Sequence, residues 1–160
     1  MQKILIVLLL SITFISVSNG ENILKDNFTN KNEWTYIADN VMGGVSKGGV
    51  EFNSFDNDVH ALLSGDVSTE NNGGFIQIRR ELKNIDLSRA KSIRLYAKGN
   101  NEKYFIFLRT TGTILPWQYY SHEFTVNEEY NEFIMPIKDF KKSGSLFCLL
   151  YTSPSPRDDR

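Results

Sequence analysis

Ser92-Ile93-Arg94-Leu95-Tyr96-Ala97-Lys98 alternates polar and apolar residues without a break. Successive side chains on a strand point to opposite faces, so this pattern describes a strand with one face on a core and one toward water. Gly99-Asn100-Asn101 follows as a turn, and Tyr104-Phe105-Ile106-Phe107-Leu108-Arg109 supplies the next strand, apolar enough for a sandwich interior. Working outward, strands are expected at Trp34–Ile37, Gly49–Phe52, His60–Gly65, Phe75–Glu81, Trp117–Phe124 and Asn131–Met135, the last stopped by Pro136. Along Phe75–Glu81 the residues Phe75, Gln77 and Arg79 oppose Ile76, Ile78 and Arg80. Turn signals recur at about the eight- to twelve-residue spacing of sandwiches and jelly rolls. No segment holds a 3.6-residue apolar period beyond a single turn at Leu87–Ala90. The reading is all-β, a jelly-roll sandwich in one domain.

The two ends are read apart from that domain. Lys3 followed by the apolar run Ile4–Val17 and the small residues Ser18-Asn19-Gly20 has the form of a secretory signal peptide over residues 1–20, cleaved before Glu21. The expected location is therefore exported, periplasmic or secreted, with no membrane span after signal removal. At the other end, Cys148–Asp158 looks like the translation of a transposase sequencing adapter over its eleven residues. The expectation is a domain over 21–147, incomplete at its C-terminus, and a non-native tail over 148–160. A jelly roll returns its last strand beside an early one, so such a chain is expected to leave an edge unpaired and its core open.

Setting aside Lys3, Arg157 and Arg160 from 18 basic residues, and Asp158 and Asp159 from 19 acidic ones, leaves 15 and 17 over Glu21–Phe147, a net charge of −2. That balance argues against nucleic acid as a partner. The only cysteine, Cys148, lies in the tail, so the domain needs no disulfide. About 125 residues can bury a core without such staples.

Chemistry-bearing patterns are sparse. Asp39-Asn40-Val41-Met42-Gly43-Gly44-Val45-Ser46 and Asn71-Asn72-Gly73-Gly74-Phe75 each carry a diglycine, which marks positive φ or a close backbone approach. In the first stretch, Gly43-Gly44 reads as a bulge with Asp39 and Asn40 as turn formers, or else as a loop presenting Met42, Ser46 and polar groups to a partner. In the second, Asn72-Gly73 is a hairpin signal, and Asn71 and Asn72 could equally offer carboxamides to sugar hydroxyls. Arg79 and Arg109 stand in apolar strands and call for a carboxylate partner such as Asp39, Asp66 or Glu81, or else line a groove. Trp117, Tyr119 and Tyr120 form either core or an aromatic platform, with Trp117 and Tyr119 on one face and Tyr120 on the other. His60 and His122 lack zinc-ligand spacing, Ser46 lacks a nucleophile-elbow setting, and Glu128-Glu129 sits in a polar turn. Asn27-Phe28-Thr29 fits a glycosylation sequon. No cofactor is expected; a structural calcium is compatible with a sandwich, but no residue pattern indicates one.

Taken in order, Trp34, the 39–46 stretch, Gly65-Asp66-Val67-Ser68, the 71–75 stretch and Arg79 resemble the complex I intermediate-associated protein 30 domain family. Leu95–Gly99, Tyr104–Arg109, Trp117-Gln118-Tyr119 and Met135-Pro136 with Phe140 are similar to it as well. The resemblance implies a galactose-binding-like β-sandwich and non-enzymatic work, since mitochondrial members act as assembly chaperones for respiratory complex I. An exported chain departs from that setting. The leading expectation is thus a protein-binding, assembly-chaperone module with no catalytic residue; the alternatives are an extracytoplasmic carbohydrate-binding module and, third, an enzyme accessory domain.

Overall fold

The structure is a computed structural model that describes residues 2–15, 22–55, 58–111, 113, 115 and 118–143. Among them there are eleven strands and four short 3-10 turns, with no α-helix. The strands are β1 (Gln2–Ile15), β2 (Asn22–Asp26), β3 (Trp34–Ala38), β4 (Lys47–Phe55), β5 (Asp58–Val67), β6 (Ile76–Arg80), β7 (Ser92–Lys98), β8 (Glu102–Leu108), β9 (Tyr119–Val126), β10 (Asn131–Pro136) and β11 (Lys141–Ser143). A main sheet runs β10-β7-β1-β5-β4, with β2 also paired to β1. A second sheet runs β11-β9-β8, and β3 and β6 form a third. Every pairing is antiparallel. The all-β sandwich expected from the alternation is the fold found, and among the described residues its sheets close into no barrel.

The 92–98 stretch does what its pattern requires. Ile93, Leu95 and Ala97 are buried while Ser92, Arg94, Tyr96 and Lys98 remain partly open to water. The buried side meets Leu63 of β5, Tyr104 of β8, Val126 of β9, Met135 of β10 and Phe140 in one core cluster. Tyr36 of β3, Ile76 and Ile78 of β6, and Ile106, Leu108, Tyr120 and Phe124 of the second sheet close over it. The core therefore lies between the main sheet and the two smaller ones. One end stays open: Leu108, Tyr120 and Phe140, with Thr110, Ile137 and Lys138, line a cleft of about 330 Å³.

Three sequence expectations differ from what is found. Residues 2–15, expected to lie outside the fold, form β1 between β5 and β7. A mainly apolar run satisfies ladder hydrogen bonds as readily as a core strand does, and composition alone separates the two poorly. The 71–74 stretch is not a hairpin: Glu70–Asn72 is a 3-10 turn, and the strand it leads into, β6, pairs with β3 instead of β5. Tyr120 lines the inner cleft, whereas Tyr119 packs edge-on against Phe107 with ring centroids 4.6 Å apart. Trp117 lies outside the described residues. No helix among the described residues is long and apolar enough to cross a membrane.

Candidate functional site

Strand β3 ends at Ala38, and the chain enters a 3-10 turn over Asp39–Met42. Asp39 is wholly buried. Its backbone N–H donates to the carbonyl of Phe75 (3.2 Å), and its own carbonyl accepts the N–H of Gly44 (3.1 Å). Its carboxylate is ringed by donors from two loops. Oδ1 accepts the N–H of Ser46 at 3.0 Å, while Oδ2 accepts the Ser46 hydroxyl, the N–H of Gly74 at 2.6 Å and that of Phe75 at 3.4 Å. Ser46 Oγ in turn accepts the N–H of Ser68 at 3.0 Å, and Ser68 Oγ accepts that of Glu70 at 3.2 Å. One buried charge thus ties residues 39–46 to residues 68–75.

This arrangement explains both diglycines. In each pair one member holds a left-handed backbone: Gly43 has φ +90 and Gly74 φ +132. The other member makes room for the carboxylate. A Cβ on Gly44 or on Gly73 would lie within 3.0 Å of Asp39 side-chain atoms, closer than real carbon contacts allow. Gly44→Ala is therefore expected to cost about 1–3 kcal/mol as an overpacking change. Gly49, where a Cβ meets nothing within 4 Å, should accept alanine with little effect. Urea midpoints of the two variants test the contrast.

Burial alone would raise the Asp39 pKa, but the hydrogen bonds from Ser46, Gly74 and Phe75 outweigh it and hold the carboxyl below its ordinary value. Its charge is felt nearby, since the Tyr36 phenol is pushed up, first by burial and then by Asp39. With both oxygens accepting hydrogen bonds from its own chain, Asp39 acts as a brace between the two loops. What the brace holds out is apolar: Val41 is 70% exposed, Met42 63% and Val45 42%.

Of the residues singled out by sequence, Asp39, Asn40, Met42, Gly43, Gly44, Ser46, Gly73 and Gly74 come together here. Asn40 is exposed in the turn and its carbonyl accepts the N–H of Gly43. Asn71 is exposed at φ +54, and Asn72 belongs to the adjoining turn. The arginines follow the expectation only in part. Arg79 is exposed on β6, where it adds to Lys83 in holding the Glu81 carboxyl below its ordinary value, and it is its neighbour Arg80 that is ion-paired, to Asp26 and Glu33. Arg109 donates to the carbonyls of Thr113 (3.3 Å) and Leu115 (3.2 Å) in place of a carboxylate. Period-two alternation explains the first: Arg80 shares the inward side of β6 with Ile76 and Ile78.

Sequence reading missed Val41, Val45 and Ser68, and also Asp26. The Asp26 carboxylate accepts the N–H of Phe28 (2.8 Å), the indole N–H of Trp34 (2.9 Å) and the Arg80 guanidinium. It also missed an outward aromatic strip on the second sheet. Phe105 and Phe107 are exposed with near-parallel rings 5.9 Å apart, next to Tyr119. Among the described residues no three His, Cys, Asp or Glu side chains group as a metal site.

Fold and loops together define an antiparallel β-sandwich protein that displays a braced apolar loop. The particular family follows from comparison. The model of the complex I intermediate-associated protein 30 (CIA30) family matches residues 24–145, and the chain belongs to that family. Searches of curated proteins and of solved structures gave no match.

Proposed function

We propose that this chain is a non-enzymatic, protein-binding module of the assembly-factor kind, engaging its partner through Val41, Met42 and Val45. The observation that carries the reading is the loop's construction. Three apolar side chains are held in water by a segment whose ends, Asp39 and Ser46, are locked to the sandwich. A loop already ordered before binding loses little conformational freedom on docking, and an apolar tip desolvates at small cost. The family's name, which refers to an intermediate of complex I, supports the same class of work. Export, read from the leader pattern over 1–20, belongs to this proposal and places the partner outside the cytoplasm.

A second reading has one observation in its favour. Phe105 and Phe107 offer two exposed, near-parallel rings, with Tyr119 edge-on beside them, against which a sugar ring could pack. One experiment separates the two. The full chain, its Val41→Ser/Met42→Ser variant and its Phe105→Ala/Phe107→Ala variant are compared in pull-downs from detergent-solubilised cells and on a glycan array. The loop variant is expected to unfold within about 0.5 kcal/mol of the parent, both sites being exposed. It should nevertheless lose stoichiometric protein capture, with the array silent throughout. Capture unchanged by the loop variant, or saturable glycan binding abolished by the aromatic variant, would overturn the protein-binding reading.

A further inference from the structure

Strand β8 closes one side of the second sheet: it pairs with β9 and, among the described residues, with no other strand. An edge of that kind presents a row of backbone N–H and C=O groups, and proteins usually guard it with shortness or charge. The opposite edge of the same sheet is guarded in both ways, since β11 is three residues long and includes Lys141 and Lys142. The β8 edge is not. It runs for seven residues, and from Tyr104 to Leu108 it carries no charge. Its outward positions are Lys103, Phe105 and Phe107, all exposed, while Tyr104 is buried on the core side.

We infer that the outer edge of β8 is a self-association site. Its occupant is β8 of a second copy of this chain, antiparallel and related by a two-fold axis at Phe105. The argument is self-complementarity, which a two-fold contact requires. Residues directly opposite in an antiparallel pair lie on the same face. With the axis at Phe105, that residue stands opposite its own copy, and Lys103 stands opposite the second copy's Phe107, twice over. Two three-stranded sheets become one of six, with four aromatic rings along its outer face and a lysine beside them at each end. Lys103 is kept on that face by Glu123 at 2.9 Å. On the inner face Tyr104 meets the second copy's Ile106. Other registers are worse. An axis at Ile106 sets Lys103 against Arg109, a like-charge pair, and one at Tyr104 sets Phe107 against Asn101. One strand from each copy makes a small contact, so the dimer is weak and grows with concentration. This inference stands on strand register and is independent of the loop at 39–46.

The test uses the full chain in sedimentation velocity, from micromolar to near-millimolar concentration. Monomer should give way to dimer over that range. Phe105→Lys, which sets two lysines face to face at the axis, should raise the dissociation constant at least about tenfold. Because Phe105 is exposed, the urea midpoint of that variant should match the parent's. Register is read separately by cysteine cross-linking in a Cys148→Ser background. Phe105→Cys should form an intermolecular disulfide on mild oxidation, since facing residues lie about 4.5–5.5 Å apart at Cα, within disulfide reach. Phe107→Cys should not, because a four-residue offset places it about 13 Å along the strand from its own copy. In hydrogen exchange, β8 amides directed away from β9 should be unprotected in the dilute chain and gain protection as the dimer forms. Four results would each sink the inference: a chain monomeric throughout, a dimer kept by Phe105→Lys but lost with Val41→Ser/Met42→Ser, equal cross-linking at 105 and 107, or outer β8 amides already protected in the dilute monomer, as they would be beneath another segment of this chain.

Discussion

Asp39→Ala should lower the melting temperature by about 10 °C or more, since each buried donor left without its acceptor carries a desolvation penalty. Three N–H groups and a hydroxyl converge on that carboxylate, from Ser46, Gly74 and Phe75. Gly44 and Gly73 pack closely around the side chain. Asp39→Asn should recover little, for its amide nitrogen would face donors whichever way it is turned. Differential scanning calorimetry reads the loss; a drop no larger than that of an ordinary surface substitution would refute the brace. The pH dependence follows with a definite sign. A carboxyl held below its ordinary value of 3.8 contributes stability that is complete above that pH, and the contribution fades as pH falls from there through the lowered value. The parent chain should therefore lose stability over that acid window by more than the Asp39→Asn variant does.

Asp26→Ala is the second large effect, with an expected cost of about 3–5 kcal/mol for leaving a largely buried Arg80 without its buried carboxylate partner. The same change also orphans the Trp34 indole N–H and the N–H of Phe28. Phe28 is fully buried yet sits at φ +59, a region bulky residues rarely adopt, with its ring centroid 5.1 Å from that of Trp34. Asp26 is what fixes that residue from behind. Glu33, the other carboxylate on Arg80, is exposed, so Glu33→Ala should cost only about 0–1 kcal/mol. Urea denaturation of the two variants makes the comparison, and losses of similar size would show that Asp26 does not carry the network.

The alternation at 92–98 revealed the sandwich because periodicity is local and strong there. The site was half legible for the opposite reason. Two glycine pairs announced unusual backbone, but the group they serve, Asp39, is defined by contacts with residues 35 and 36 positions further along, which no local pattern displays. Read locally, Asp39 is a turn former, and in the fold it is a buried anchor. Arg79 against Arg80 shows a signal present and misapplied. The alternation through Ile76 and Ile78 already places Arg80 inward and Arg79 on the opposite face. The aromatic strip escaped because Phe105 and Phe107 read as core in an apolar strand, and only the position of the sheet turns them outward. Residues 2–15 were ambiguous in principle, since an export leader and an interior strand share the same alphabet.

The brace has one more consequence. Its fixed ends, Asp39 and Ser46, bracket a stretch in which Asn40, Val41, Met42, Gly43 and Val45 all face solvent. That makes Asn40, Val41, Met42 and Val45 an interchangeable cassette around the fixed Gly43 and Gly44. Its wording can be rewritten without disturbing the foundations, so diversity in what related molecules grip can accumulate at these few letters while the hinge pins on either side stay put.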